Sequence, residues 1–387
     1  MKENRRKFLR QSLTTAAGLA ATALPGIASG EPFDFNRRPD ILREKSAPVK
    51  VGKSLIRFSA IGLNHGHINS QVETVIQGGG ELVSFYAKEP DLIAAFSKRF
   101  PQAKLARTEN EILEDNSIQL VVSASIPVDR APLGIRVMQH GKDFMSDKPG
   151  IITLEQLAEV RKVQKQTKRI YSILYGERME NKASIKAGDL IKEGAIGKVV
   201  QTLGTGPHRM NPKSRPSWFF DKKSYGGIIC DIGSHQCEQF LYFTNSKKAD
   251  VLCAQVGNVN NAQYPGIEDF GDATLRGNGG SGYFRVDWFT PDGLNTWGDG
   301  RLTILGTEGY MELRKNIDIA GREGSNHLFL VNNKETRYID CTEVLLPYGQ
   351  ALVQDILNRT ETAMTQEHCF LATELALKAE KNAVKIG

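Results

Sequence analysis

The sequence predicts an α/β chain in two parts: a doubly wound parallel sheet, then an α+β part with a large, mostly antiparallel open sheet. Three observations predict it. Between Ser54 and Leu174, short apolar runs alternate with amphipathic helical stretches at the spacing of βαβ units. After Asn181 the apolar runs lengthen and are divided by Gly, Pro, Asn and Asp turns, as in antiparallel sheet with one covered face. The chain has 387 residues, 40% hydrophobic and 24% charged, enough for two such cores.

The N-terminus carries a separate signal. Arg5-Arg6-Lys7-Phe8-Leu9-Arg10 is a twin arginine with an apolar pair, followed by an uncharged stretch to Gly30. Ala28-Ser29-Gly30 suits cleavage. Residues 1–30 resemble a bacterial twin-arginine signal peptide, so a periplasmic or otherwise extracytoplasmic protein is expected, with no stable membrane insertion after cleavage. Much of the net charge of +6 lies in this segment, and the remainder is too mildly basic to argue for nucleic acid. Residues 31–53, polar and proline-containing, read as a leader arm. Cys230, Cys237, Cys253, Cys341 and Cys369 are odd in number with no Cys-x-x-Cys, so neither a disulfide framework nor a metal site is expected. Cys230 and Cys237 read as small core residues.

The elements follow in order. Residues 54–175 form the first part. Its strands are expected at Leu55–Ile61, Leu82–Tyr86, Ile118–Ser123, Asp143–Ser146 and Ile170–Leu174. Helices lie between them: one ending near Ile76, then Asp91–Phe100, Arg130–His140 and Leu154–Lys168. Residues 176–346 form the second part, with strands at Val199–Gly206, Asp250–Val256, Asp272–Arg276, Gly282–Phe289, Arg301–Leu305 and Tyr310–Leu313. One long helix, Gly227–Phe243, interrupts them. Residues 347–387 read as helices packing back on the core.

Five stretches carry chemistry. The turn Gly62-Leu63-Asn64-His65-Gly66-His67 lies between a strand and a helix, where backbone N–H groups and the helix dipole suit a pyrophosphate. Asn64 and His67 replace the second and third glycines of that fingerprint. After the second strand, Ala87 stands where an acidic ribose reader is expected. Lys88 beside it accommodates a 2′-phosphate, which leans slightly to NADP, while Glu89 is the competing carboxylate. Lys148 ends a buried strand and is held by Pro149, at the sheet end that faces a ligand crevice. Asp231 and His235 are one helical turn apart, so the carboxylate is expected to orient the imidazole for proton transfer. The plain alternatives are a surface lysine, a capping aspartate and a core histidine. Between the two parts, His208, Arg209 and Trp218 mix donors with a flat ring, as a sugar site needs, and Trp297 is a further candidate.

Lys148-Pro149, the Gly-Gly…Asp-x-x-x-His stretch Gly226–His235, Gly194-Ala195-Ile196-Gly197-Lys198 and Gly306-Thr307-Glu308-Gly309 together resemble the Gfo/Idh/MocA family over roughly residues 54–385. The resemblance implies an N-terminal Rossmann domain and a C-terminal domain whose open sheet often mediates homo-oligomers. It also implies an NAD or NADP cofactor and a sugar or polyol substrate. On that reading Lys148, Asp231 and His235 are catalytic, and Ser125, Pro127 and Asp147 lie along the cofactor with the glycine turn. Asp147 is one methylene shorter than the family's usual acid, and Arg130 stands at the position of its histidine. The leading expectation is an exported oxidoreductase that keeps its nucleotide bound, since free NAD(P) is not expected outside the cytoplasm. The alternatives are a redox-neutral glycoside-cleaving or epimerising enzyme and a non-catalytic sugar-binding protein.

Overall fold

In a computed structural model of the chain, residues 54–387 are described. The expected signal peptide and leader arm lie outside them. The first sheet contains β1 (Ile56–Ile61), β2 (Gly80–Tyr86), β3 (Lys104–Leu105), β4 (Leu120–Ser123), β5 (Asp143–Asp147) and β6 (Tyr171–Leu174). Their spatial order is β3-β2-β1-β4-β5-β6 and every pairing is parallel. That is the Rossmann order, in which the chain reverses direction between β1 and β4 and opens a crevice at the carboxyl ends of the strands. Helices α1 (Ile68–Gln77), α2 (Pro90–Arg99), α3 (Glu109–Leu113), α4 (Pro127–Gln139) and α5 (Leu154–Thr167) connect the strands. Covered on both faces, β4 and β5 are buried at every residue, and β4 accordingly reads as an apolar run, Leu-Val-Val. Thr153 caps α5, its side chain accepting from the Gln156 N–H.

Two helices, α6 (Gly176–Met179) and α7 (Lys182–Lys192), lead to the second sheet. Its strands are β7 (Val199–Pro207), β8 (Ala249–Gly257), β9 (Phe270–Gly277), β10 (Ser281–Asp287), β11 (Arg301–Gly306), β12 (Gly309–Arg314), β13 (His327–Asn332), β14 (Thr336–Ile339) and β15 (Val384–Ile386). The order is β14-β13-β12-β11-β7-β10-β9-β8-β15, and only β7–β10 and β8–β15 are parallel. One face is buried; around β11–β13, Ile304, Met311, Leu313 and Leu330 pack with Ala187 and Leu190 of α7. On the other face Val200, Leu203, Tyr283, Leu305 and Tyr310 are exposed. Helices α8 (Lys222–Tyr225), α9 (Ser234–Thr244), α10 (Tyr348–Asn358) and α11 (Gln366–Asn382) complete the chain, with α11 packed on both α9 and β8.

The structure corrects three expectations. The single helix over Gly227–Phe243 is a π turn, Ile229–Gly233, running into α9. The helical C-terminus stops at Asn382, and Val384–Ile386 pairs with β8 at the sheet edge. Strands β3, β13 and β14 were not expected. All five cysteines are unpaired: Cys230 and Cys237 are core residues, and Cys253 is exposed. Among the described residues no helix is long and apolar enough to cross a membrane.

Candidate active-site cleft

A cleft of about 430 Å³ lies at the carboxyl ends of the parallel strands, walled on the far side by residues of the second sheet. Lys148 sits at its centre, immediately after β5. Arg130 of α4 fixes that strand end. Its guanidinium is 1% exposed and donates to the carbonyls of Ser125 (2.6 Å), Lys148 (2.6 Å) and Pro149 (3.1 Å). It also pairs with Asp147 at 3.1 Å. A charge this deep is tolerable only when its donors are satisfied, and here they tie the loop after β4 to the strand end after β5.

Lys148 Nζ donates to Asp231 Oδ1 at 2.8 Å; the two side chains are 5% and 13% exposed. Burial would raise the Asp231 carboxyl, but the Lys148 charge and hydrogen bond hold it below its ordinary value. The local chain explains how Asp231 reaches the lysine. Gly226 and Gly227 have φ of +95° and +100°, and a Cβ on Gly227 would lie 2.2 Å from the Glu380 carboxyl carbon. Glu380 of α11 accepts from Ile229 N–H (3.0 Å), Glu268 accepts from Ile228 N–H (3.1 Å), and Lys222 bridges both acids. Gly227 therefore admits the Glu380 carboxylate to the start of the turn that carries Asp231, while Gly226 lets the chain pass close to Ile152.

The expected pairing of Asp231 with His235 does not form. The wider π turn turns Asp231 toward Lys148, and His235 Nδ1 is buried without a partner. Burial drives His235 down to about 3, against the upward pull of the Glu177 carboxylate. Glu177 had no sequence signal of its own. Its side chain is 8% exposed and accepts from Lys315 Nζ (2.7 Å), Gln236 Nε2 (2.8 Å) and Gln239 Nε2 (3.3 Å). Lys315 lies 138 residues away in the chain, so only the topology brings the pair together.

His208 and Trp218 line the cleft as expected, and Trp297 lines its rim, 49% exposed. The His208 ring meets Trp297 edge-on at 4.5 Å and Trp288 at 5.5 Å, and its Nδ1 lies 3.1 Å from the Gly206 carbonyl. Burial pushes His208 down to about 4. Arg209 is a correction: it turns away from the cleft and braces the loop carrying Trp297. It pairs with Asp292 at 2.7 Å and donates to the carbonyls of Leu294 and Thr296. Trp288 and Arg215, which stack together, belong to the wall and were not anticipated.

The nucleotide end of the crevice is built around Gly62. Its φ is +79°, and a Cβ there would lie 2.5 Å from the Ser125 Cβ, so only glycine fits between β1 and the loop after β4. A Cβ on Gly66 would meet nothing within 4 Å, and the N–H groups of Gly66 and His67 make no hydrogen bond among the described residues. Open donors at the start of a ten-residue helix fit a diphosphate. The two substituted glycines are tied to acids: Asn64 donates to Glu89 at 2.8 Å, and His67 Nδ1 lies 3.0 Å from Asp147 Oδ1. His65 Nδ1 lies 2.8 Å from the other oxygen of Asp147. Burial lowers His65 to about 4; it would raise Asp147, but His67, Arg130 and His65 hold that carboxyl well below the usual range. Ala87 is buried at the end of β2, Lys88 is exposed, and Glu89 also accepts from the Lys88 N–H. Pro127 opens α4 at the cleft wall.

A Rossmann sheet joined to an open mixed sheet, with a lysine–aspartate pair at the strand-end crevice, defines the class of two-part dinucleotide-fold proteins. Residues 185–312 match the GFO/IDH/MocA C-terminal domain. A crystal structure from Erwinia carotovora atroseptica, provisionally classed as an oxidoreductase, superposes with a TM-score of 0.84 at 45% identity, covering 86% of this chain and all of that one. The chain belongs to the Gfo/Idh/MocA family. Among curated relatives, D-xylose dehydrogenase of Paenarthrobacter nicotinovorans is 23% identical over 43% of this chain and 41% of its own length. The NADP(+)-dependent scyllo-inositol 2-dehydrogenase of Bacillus subtilis is 25% identical over 43% of this chain and 46% of its own. The matched region is thus less than half the length of either curated relative.

Proposed function

We propose that the protein is an NAD(P)-dependent oxidoreductase that oxidises a carbinol of a sugar, sugar derivative or cyclic polyol. The observation that carries this is the Lys148–Asp231 pair facing His235 across one cleft, directly beyond the crevice of a Rossmann sheet. The curated relatives named above act on D-xylose and scyllo-inositol, which supports the substrate class. A bound nicotinamide would supply the hydride acceptor. The chain does the rest. The Lys148 ammonium hydrogen-bonds the substrate oxygen and stabilises the alkoxide as it develops, and Asp231 holds that ammonium in place. Burial keeps His235 neutral, so one of its ring nitrogens has a lone pair that can accept the hydroxyl proton. His208 and the rings of Trp218 and Trp297 offer a hydrogen-bonding edge and flat faces suited to a sugar ring.

The open N–H groups of Gly66 and His67 would hold the diphosphate. NADP is the cofactor we favour, because Glu89 is already engaged by Asn64 and the Lys88 amide while the Lys88 ammonium stays exposed. The exposed apolar stripe of Leu203, Tyr283, Leu305 and Tyr310 fits homo-oligomerisation through the open sheet. The twin-arginine stretch supports export to an extracytoplasmic space with nucleotide retained. A panel of aldoses, sugar acids and inositols, read by nicotinamide absorbance with added NAD or NADP, tests the activity. No reduction of either nucleotide by any member of the panel counts against it. Cell fractionation with Arg5 and Arg6 both changed to Lys tests export, and an unchanged distribution would refute it.

A further inference from the structure

The cleft wall carries a buried ion pair that the proposed hydride chemistry does not use. Glu177 comes from α6, just after the last parallel strand, and Lys315 follows β12; their side chains are 8% and 3% exposed. Both line the cleft with His235 and His208.

The hydrogen bonds of the Glu177 carboxylate are lopsided. Lys315, Gln236 and Gln239 all donate to Oε2. Oε1 accepts from none of the described residues, and it is not among the polar atoms sealed in the interior without a partner. The side chain is otherwise enclosed, so the opening that Oε1 meets is the cleft it lines. The three donors are themselves held. Lys315 Nζ also donates to Gln239 Oε1 at 2.6 Å, and Gln239 Nε2 donates to the His235 carbonyl at 3.0 Å. Gly204 of β7 makes room for Gln236, since a Cβ there would lie 2.2 Å from the Gln236 Oε1. The fold thus seats one carboxylate firmly and leaves one of its oxygens open.

Charge and lone pairs decide what that oxygen can take. Burial alone would raise the Glu177 carboxyl, but the Lys315 ammonium holds it well below its ordinary value. The carboxylate is therefore ionised and can only accept. Lys315 already balances its charge, so an incoming ammonium would leave an excess cation in a buried wall. A ligand carboxylate would meet Oε1 lone pair to lone pair. A hydroxyl adds a charge-assisted hydrogen bond and no net charge.

We infer that Glu177 is a specificity-determining substrate contact: Oε1 accepts a hydrogen bond from a second hydroxyl of the ligand, other than the one that Lys148 and His235 work on. Lys315, Gln236 and Gln239 are the positioning residues behind it. The substrate class narrows to polyhydroxylated rings that present a hydroxyl, not a carboxylate or an ammonium, at this wall. The inference rests on the reading of the cleft as a sugar or polyol site, and not on hydride transfer.

Binding is therefore measured without turnover. The three tryptophans of the chain, Trp218, Trp288 and Trp297, all line the cleft, so their fluorescence reports its occupancy. The full chain as purified is titrated with D-glucose, D-xylose and myo-inositol, then with each monodeoxy form of the one that binds most tightly. One hydroxyl is expected whose removal weakens binding ~10–100-fold in the parent, as for a hydrogen bond to a charged group. Its removal should have no further effect in Glu177→Leu/Lys315→Met, which takes out both charges together and strands no buried lysine. Glu177→Gln keeps the shape and should show a smaller loss; it carries the comparison where the double variant fails to fold or to bind. No binding by any of the three ligands, or deoxy losses equal in parent and variants, overturns the inference. A chain that binds its sugar through Glu177 and yet reduces no nucleotide overturns the hydride reading alone.

Discussion

Changing Lys148 to Met separates the structural role of the lysine from its chemical one. The substitution leaves the Asp231 carboxylate without its counter-ion at a site where it is 13% exposed. Breaking a buried pair from one side costs about 3–5 kcal/mol. Water enters this cleft and solvates the orphaned carboxylate in part, so the lower end, about 3 kcal/mol, is expected. Lys148→Met/Asp231→Asn removes both charges and should recover all but about 1 kcal/mol of that loss. Turnover behaves differently: it should fall ~10²–10⁴-fold in the single variant and stay down in the double one. Urea unfolding followed by circular dichroism gives the stabilities, and nicotinamide absorbance with the sugar found by the panel gives the rates. A double variant that turns over like the parent would remove Lys148 from the chemistry. A single variant as stable as the parent would show that the pair carries no buried charge.

Further outcomes follow from the same geometry. In the unfolded chain His235 takes a proton near its ordinary 6.5, but in the folded chain burial delays this to about 3, so stability is present above pH 6.5 and lost as the pH falls. Between pH 7 and 5 that ring alone removes about 2 kcal/mol, and His65 and His208 act in the same direction. His235→Gln should flatten the pH dependence of the urea midpoint by that amount, whereas an unchanged slope would deny the burial. Arg209→Ala frees the loop that carries Trp297 and should raise KM several-fold with little change in kcat; a large fall in kcat alone would put Arg209 at the reacting atoms. If the protein assembles through the open sheet, Leu203→Glu places a charge in the exposed apolar stripe and should reduce the mass measured by light scattering to that of the monomer, whereas a parent already of monomer mass, or an unaltered mass, would refute assembly through this face.

Much of this architecture is legible in the sequence because burial on both faces leaves an unmistakable mark. Val121, Val122, Phe144 and Met145 are all fully buried, and their runs read as strands at once. Two-residue β3 has no such mark, since both Lys104 and Leu105 are exposed at the sheet edge. The three closing residues of β15 become a strand only by meeting β8, a partner more than a hundred residues earlier. The site divides in the same way. Lys148 was legible because the strand end and proline are local, and the approach at Gly226 and Gly227 was legible as a close contact, although its partner, Glu380, was not. The Asp231–His235 pairing failed because it assumed an unbroken α-helix, and a single π turn re-aims the carboxylate. Glu177 and Lys315 carry no motif and become a site only through long-range folding. Arg209 looked like a sugar ligand by composition, yet its guanidinium found the Asp292 carboxylate and the Leu294 and Thr296 carbonyls of a neighbouring loop.

The central claim is that this cleft is the working end of a nicotinamide-dependent enzyme. The most direct measurement is the small molecule released when the mature protein, exported and purified without added nucleotide, is denatured and examined by mass spectrometry. We expect NAD or NADP at close to one per chain, with NADP the form favoured by Lys88. No nucleotide in the released fraction, and no binding when either form is then titrated into the native protein, would contradict the claim.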